Sequence, residues 1–299
     1  MKKRNLVRKR NPRVPIAILS AAFLAFCFSS CAGSPNAASG KPVILVVSFG
    51  TSYNDSREKT IGAVERAIAS AYTDYEIRRA FTSQIIINVI AKRDKINIDN
   101  VDQAMKRLVK DKVKDLVVQP THVMNGIEYD EMMAAVKPYV KKFTNIRYGR
   151  PLLSSNTDFD DVVSALIENT KQYNADDTAV VFMGHGTEHE ANEVYTKLDG
   201  LLKARGIGRY LVGTVEAEPS LDDIISELNP REVKKVVLLP FMIVAGDHAN
   251  NDMAGDEDDS WKSILERKGY SVTPVLKGLG EYPEIQRIYV RHVSDAIRS

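Results

Sequence analysis

Thiols are almost missing from this chain. It has two cysteines in 299 residues, Cys27 and Cys31, both near the N-terminus. No cysteine follows, which excludes a disulfide framework and a thiolate metal site from the folded body. Long apolar runs are missing too. Residues 14–28 are mostly apolar, but fall short of the ~20 residues a comfortable membrane span needs. Acidic residues are missing from residues 1–13, which carry seven basic ones (Lys2, Lys3, Arg4, Arg8, Lys9, Arg10, Arg13). The whole chain has 41 basic and 39 acidic residues, a net +2; without the seven basic residues of the leader it stands at −5. The basic balance therefore belongs to that segment, and no nucleic-acid partner is implied.

A basic stretch, a short apolar stretch and small residues make an export signal. Phe28-Ser29-Ser30-Cys31 resembles a bacterial lipobox, with Phe28 where leucine is preferred. That resemblance implies cleavage before Cys31 and lipidation of its thiol. The expected organisation is a signal over 1–30, a tether over 31–42 rich in Ala, Ser, Gly and Pro, and two lobes, 43–150 and 151–299. The expected location is the periplasmic side of a bacterial membrane, with the protein held there by a lipid anchor.

The rest of the chain is organised around residues 178–189. The apolar run 179–183 lies between Asp176-Asp177 and Gly184, the pattern of a buried parallel strand. His185 follows between two glycines. Ligands of open α/β sheets bind outside the carboxyl ends of the strands, so His185 is presented to a ligand. A second buried-strand pattern covers 43–49 and ends in Ser48-Phe-Gly-Thr-Ser52. Further strands are expected over 76–81, 115–119, 146–148, 210–214, 236–240 and 272–275. Helices are expected over 54–71, 83–92, 99–109, 128–142, 158–171, 188–203, 220–228, 257–268 and 282–297. Alternation with short connections reads as a doubly wound parallel sheet in each half.

The halves repeat. Residues 113–126 lie over 233–246 without a gap, bringing Pro120 onto Pro240 and Gly126 onto Gly246. Ser48-Phe-Gly-Thr51 lies over Gly184-His-Gly-Thr187. Coincident Pro, Gly and Gly-Thr mark an internal duplication. In this register Glu128 corresponds to His248, and two equivalent loops face a shared cleft.

His248, in Val244-Ala-Gly-Asp-His248, also lies just past a strand end. Two imidazoles from neighbouring strands can converge on one ion, and Glu128 can add a carboxylate. That donor set suits Co²⁺, Ni²⁺, Fe²⁺ or Zn²⁺. Three protein ligands leave positions open, as delivery of a metal requires.

Ser48-Phe-Gly-Thr-Ser52, Arg79-Ala-Phe-Thr-Ser83, Asn125-Gly-x-Glu-Tyr129, Pro151-Leu-Leu-Ser-Ser155, Phe182-Met-Gly-His-Gly186 and Val244-Ala-Gly-Asp-His-Ala-x-Asn-Asp-Met253 run in order over about 41–297. Together they resemble the anaerobic-pathway sirohydrochlorin cobaltochelatases, class II chelatases of cobalamin biosynthesis. The resemblance implies two Rossmann-like lobes with a tetrapyrrole cleft between them. It implies metal ligation at His185, His248 and Glu128, with both histidines catalytic. Co²⁺ is then the substrate metal, with Fe²⁺ or Ni²⁺ as alternatives. Exported forms occur in this family, some associated with haem, so haem is a further possible ligand. A homo-oligomer is expected.

The chemistry fits these residues. Metal insertion releases two pyrrole protons, which a neutral imidazole can take. Hydroxyls of Ser48, Thr51, Ser52 and Thr187 can receive substrate carboxylates, and Arg57 and Arg79 are candidate charge partners. Rival readings are weaker. His185-Gly-Thr-Glu-His189 matches the inverted zinc-protease pattern, but His185 precedes the helix. His189 reads as a first-turn residue lining the cleft, His122 as a loop residue in preference to a haem ligand, and His292 as surface. Asp256-Glu-Asp-Asp259 reads as a helix opening, and Trp261 as core. Two classes remain: a chelatase, and a non-catalytic envelope lipoprotein that binds haem, another tetrapyrrole or metal.

Overall fold

A computed structural model describes residues 40–205, 209–229 and 232–299. The signal over 1–30, Cys31 and most of the tether lie outside the described residues. Among the described residues, no helix is long and apolar enough to cross a membrane.

The run Val-Ile-Leu-Val-Val has no polar alternation, so it can only be a strand covered on both faces. It forms β1 (Val43–Ser48), buried along its whole length. β2 (Glu76–Phe81), β3 (Asp115–Pro120) and β4 (Asn145–Tyr148) join it in a parallel sheet ordered β2-β1-β3-β4. β5 (Thr178–Gly184), β6 (Tyr210–Thr214), β7 (Lys235–Pro240) and β8 (Ser271–Pro274) repeat that order as β6-β5-β7-β8. Helices flank both sheets, because parallel strands must be joined by crossovers.

The duplication read from Pro and Gly is present in the registers. Val47 faces Pro120, and Met183 faces Pro240. One residue on, Ser48 faces Phe81, and Gly184 faces Thr214. Gly50 and Gly186 therefore hold equivalent places, and both have positive φ, 104° and 85°. A Cβ on Gly50 would come within 2.6 Å of Phe81; on Gly186 it would meet Thr214 at 2.9 Å. The same neighbouring strand crowds the same turn in each lobe. Pro120 and Pro240 each end a strand, where a missing N–H removes no interior ladder bond.

The single helix expected over 54–71 is two, α1 (Asn54–Lys59) and α2 (Ile61–Ala71). They break at buried Thr60, whose φ and ψ are −109° and −80°. Gly280 packs there, so close that a Cβ on it would lie 2.9 Å from Thr60 Cα. α3 (Gln84–Asp94) and α4 (Val101–Lys110) follow. Asn100 caps α4 in a reciprocal pair with Gln103, and Asp99, where the helix was expected to start, binds Arg107. Next come α5 (Ile127–Val136), α6 (Asn156–Thr170), α7 (Glu193–Ala204), α8 (Leu221–Leu228), α9 (Trp261–Arg267) and α10 (Pro283–Arg298). The acidic run before α9 does not open it; Ser260 is the cap, with Asp256 bound to Lys262 and Asp258 to Arg267.

α10 comes last in the chain but packs against α2, β3 and β4 of the first lobe. Tyr72 Oη donates to the Val290 carbonyl at 3.0 Å, and Tyr289 Oη to the Thr121 carbonyl at 2.9 Å. A single core runs from Ile44 and Val46 through Phe159 and Leu166 to Phe182 and Tyr289. His292, expected at the surface, is fully buried in this packing. Its Nδ1 lies 2.9 Å from the Arg150 carbonyl and its Nε2 2.9 Å from Asp158. Its neighbours Arg287 and Arg291 gave the sequence a polar look, but an amphipathic helix turns only one stripe inward. Burial opposes ionisation of Asp158, but hydrogen bonds from His292, Ser155 and Arg291 outweigh it and hold the carboxyl below its ordinary range.

Candidate metal centre and cleft

The carboxyl ends of β1, β3, β5 and β7 converge on one cleft of about 530 Å³. His185 is delivered by the turn after β5. Gly184 must be glycine, since the Tyr195 ring lies 2.2 Å from where its Cβ would be. That ring is buried, which pushes its phenol up to about 12 and keeps it a neutral support. The positive φ of Gly186 then swings the chain away. His185 also fixes the end of β6: its carbonyl accepts from Val215 N at 3.1 Å and Glu216 N at 2.9 Å. Glu216 is thereby held against the histidine that precedes it by a whole helix and strand.

His248 follows β7 on a loop ordered by Asn250, whose Nδ2 donates to the Gly246 carbonyl at 2.6 Å. A π-helical turn, Ala249–Met253, comes next; such turns are frequent at functional sites.

The rings of His185 and His248 stand edge to face, 4.6 Å between centroids and 89° apart. The ligand atoms of His185, Glu216 and His248 lie within 4.8 Å of one another. Metal–ligand bonds are about 2.0–2.2 Å, so small rotamer changes close this set on one ion. The tautomers are fixed by acceptor-only partners. His185 Nδ1 donates to the Gly186 carbonyl at 2.7 Å, and His248 Nδ1 to Asp252 at 2.6 Å. Both Nε2 lone pairs are left available.

Glu128 lines the same cleft from the first turn of α5 but is not in the converging trio. Ser48, Thr51, Ser52 and Thr187 also line it. Ser48 Oγ accepts from Thr121, Thr51 Oγ1 from Tyr53 N, and Thr187 Oγ1 from His189 N. Each of these hydroxyls keeps its own hydrogen to donate. The cleft has an apolar side as well. Ile85 is 77% exposed and Phe49 47%, and both face it together with Val89, Met242 and Val244. Exposed apolar groups in a concave site mark a place for a largely apolar ligand.

No lysine or arginine is among the described residues lining the cleft. Arg79 is held by Glu65, to which its Nε and Nη2 both donate. Arg57 is buried beneath the Thr51 turn, donating to the Thr51 carbonyl at 3.3 Å, with Asp94 3.9 Å away. Neither reaches the cleft, contrary to the role expected for them. His189 does not open a helix of the cleft wall: it caps a 3-10 turn over Glu190–Asn192, and its Nε2 lies 3.6 Å from Asp130 of the other lobe. His122 is a loop residue as expected. Its ring nitrogens are enclosed and find no hydrogen-bond partner among the described residues. Burial pushes its imidazole down to about 4.

Comparison with known proteins decides between the classes this geometry allows. Residues 42–298 match the family described as cobalt chelatase (CbiK). The chain belongs to the cobalt chelatase family. It is 42% identical over 257 residues to a sirohydrochlorin cobaltochelatase of Salmonella typhimurium, covering 86% of this chain and 97% of that protein. It is 34% identical over 259 residues to the sirohydrochlorin cobaltochelatase CbiKC of Nitratidesulfovibrio vulgaris, covering 86% and 91%. Among solved structures it resembles SirB from Bacillus subtilis with Fe3+, at 15% identity and a TM-score of 0.58, covering 86% of this chain and 95% of that one. At that identity the likeness speaks for the two-lobed fold alone.

Within this cobalt chelatase fold, the sequence led to both histidines and to the facing turns. It did not lead to Glu216. One sequence signal was available: Glu216 follows its strand end by two residues and belongs to the strand beside that of His185. Asp252 has only its spacing as a signal, four residues after His248 on one side of a turn.

Proposed function

We propose that this chain inserts Co²⁺ into sirohydrochlorin, a step of cobalamin-type biosynthesis. The observation that carries the reading is the convergence of His185, Glu216 and His248 in an apolar cleft whose described lining includes no lysine or arginine. An acidic, imidazole-lined end gathers a dication, and the apolar walls receive the macrocycle. The ion is held through two Nε2 atoms and one carboxylate, an incomplete set from which it can leave. Insertion expels two pyrrole protons; the His185 imidazole, vacated as the ion moves, takes one, and the Glu216 carboxylate, vacated with it, takes the other. Hydroxyls of Ser48, Thr51, Ser52 and Thr187 donate to the substrate carboxylates, and Glu128 adds negative charge beside the ion. The assay is the absorption spectrum of sirohydrochlorin mixed with the protein and Co²⁺, with Fe²⁺ and Ni²⁺ as parallel arms. No acceleration over the metal alone would refute the reading.

The same proposal places the enzyme outside the cytoplasm as a lipoprotein anchored through Cys31. The leader composition and the lipobox-like tetrad support this. Cys31→Ala should release the protein from membranes or leave it unprocessed; mature protein whose lipid-free N-terminus begins after residue 31 would exclude the anchor. A homo-oligomer is expected in light scattering.

A further inference from the structure

The two imidazoles of the metal centre are held by unlike partners. His248 Nδ1–H is given to the Asp252 carboxylate at 2.6 Å, whereas His185 Nδ1–H is given to the neutral Gly186 carbonyl at 2.7 Å, with the Glu216 carboxylate 3.7 Å from that nitrogen and outside hydrogen-bond reach. A carboxylate draws a proton more strongly than a peptide oxygen, and the charge-assisted bond is the stronger one. More electron density therefore reaches Nε2 of His248 than Nε2 of His185. Carboxylates behind metal-binding histidines raise ligand basicity and fix the ring. Asp252 is placed for this by the π turn over Ala249–Met253, whose end residues Ala249 and Met253 are fully buried in the second lobe. Asp252 does not itself line the cleft.

We infer that Asp252 is a positioning residue that makes His248 the retaining ligand of the metal-ion substrate, so that His185 is the imidazole that lets go first. This rests on the reading of His185, Glu216 and His248 as the metal centre. It divides the labour between two histidines that look equivalent from their strand ends: one keeps the ion in place while the other exchanges it for a proton.

The test uses the full chain without tetrapyrrole, with Co²⁺ titrated by calorimetry and visible absorption. In Asp252→Asn the Kd for Co²⁺ should rise about 10–100-fold. In turnover assays the loss should appear in KM for Co²⁺ more than in kcat. Long-range ¹H–¹⁵N spectra of the imidazoles should show His248 leaving a pure Nδ1–H tautomer while His185 keeps its own. Asp252→Glu, which retains the carboxylate, should recover part of the affinity. A folded Asp252→Asn protein that binds Co²⁺ as the parent does overturns the inference, as does a loss confined to kcat. If Asp252→Asn does not fold, the parent spectrum decides: an Nε2–H tautomer at His248 overturns the inference, and the Nδ1–H tautomer with weakened binding in Asp252→Glu upholds it. A parent protein that binds no Co²⁺ overturns the metal-centre reading, and this inference with it.

Discussion

His185 and His248 sit at the cleft on turns whose backbones are fixed by other residues. Removing their side chains should therefore leave the fold intact. His185→Ala should abolish most insertion, since it removes a ligand and the nearest proton acceptor. His248→Ala and Glu216→Gln should act mainly on Co²⁺ affinity. Insertion kinetics with circular dichroism as the folding control measure both effects, and full activity in the folded double histidine variant would move the reaction elsewhere. Two other residues contribute to stability in acid. The imidazole of His122 lies at about 4 in the folded state, below the ordinary value of about 6.5. Its contribution is whole above pH ~6.5 and is lost as pH falls toward 4, to a limit of about 3 kcal/mol. The Asp158 carboxyl is also lowered, so its contribution is present above about pH 4 and is lost as pH falls through its folded value. Urea midpoints across pH 3–8 should decline in these two stages, and His122→Leu should flatten the first. Asp158→Ala leaves buried His292 without its carboxylate and Arg291 with Asp161 alone, and should cost about 3–5 kcal/mol.

The turn after β5 does the work of assembly for the proposed metal centre, and Gly186 is the residue it depends on. Its φ of 85° and the 2.8 Å approach its Cβ would make to Ala217 N leave no place for a side chain. Gly186→Ala should destabilise by more than ~1 kcal/mol and weaken Co²⁺ binding, because Glu216 is tied to the same turn. Gly200, in α7 with open space around it, is the counter-case: Gly200→Ala should stabilise by up to ~1 kcal/mol. Thermal melts of the pair, beside Co²⁺ titrations, distinguish the two outcomes. Much of this level is legible in the sequence. Continuous Val/Ile/Leu runs announce parallel strands, and Pro120/Pro240 with the Gly-Thr pairs announce the repeat. What was not legible depends on contacts distant in sequence. Thr60 breaks a helix because Gly280 arrives from the other end of the chain. Arg79 is taken by Glu65 on a helix face that composition does not orient. Glu216 looks like any acidic loop residue until the His185 carbonyl captures its N–H.

At the scale of the molecule, two repeats share one core, and α10 joins them. Deleting residues 283–299 would uncover Val64, Ile68 and Val117 of the first lobe along with Tyr282 of the second. The expected result is loss of cooperative unfolding in both lobes at once, seen as a broad urea transition; a sharp transition at the parent midpoint would contradict it. The position of α10 also has a consequence for biogenesis. The helix that completes the first half of the molecule is synthesised after every strand of the second half. The amino-terminal half therefore cannot close ahead of the carboxyl-terminal half during synthesis, as domains otherwise tend to do.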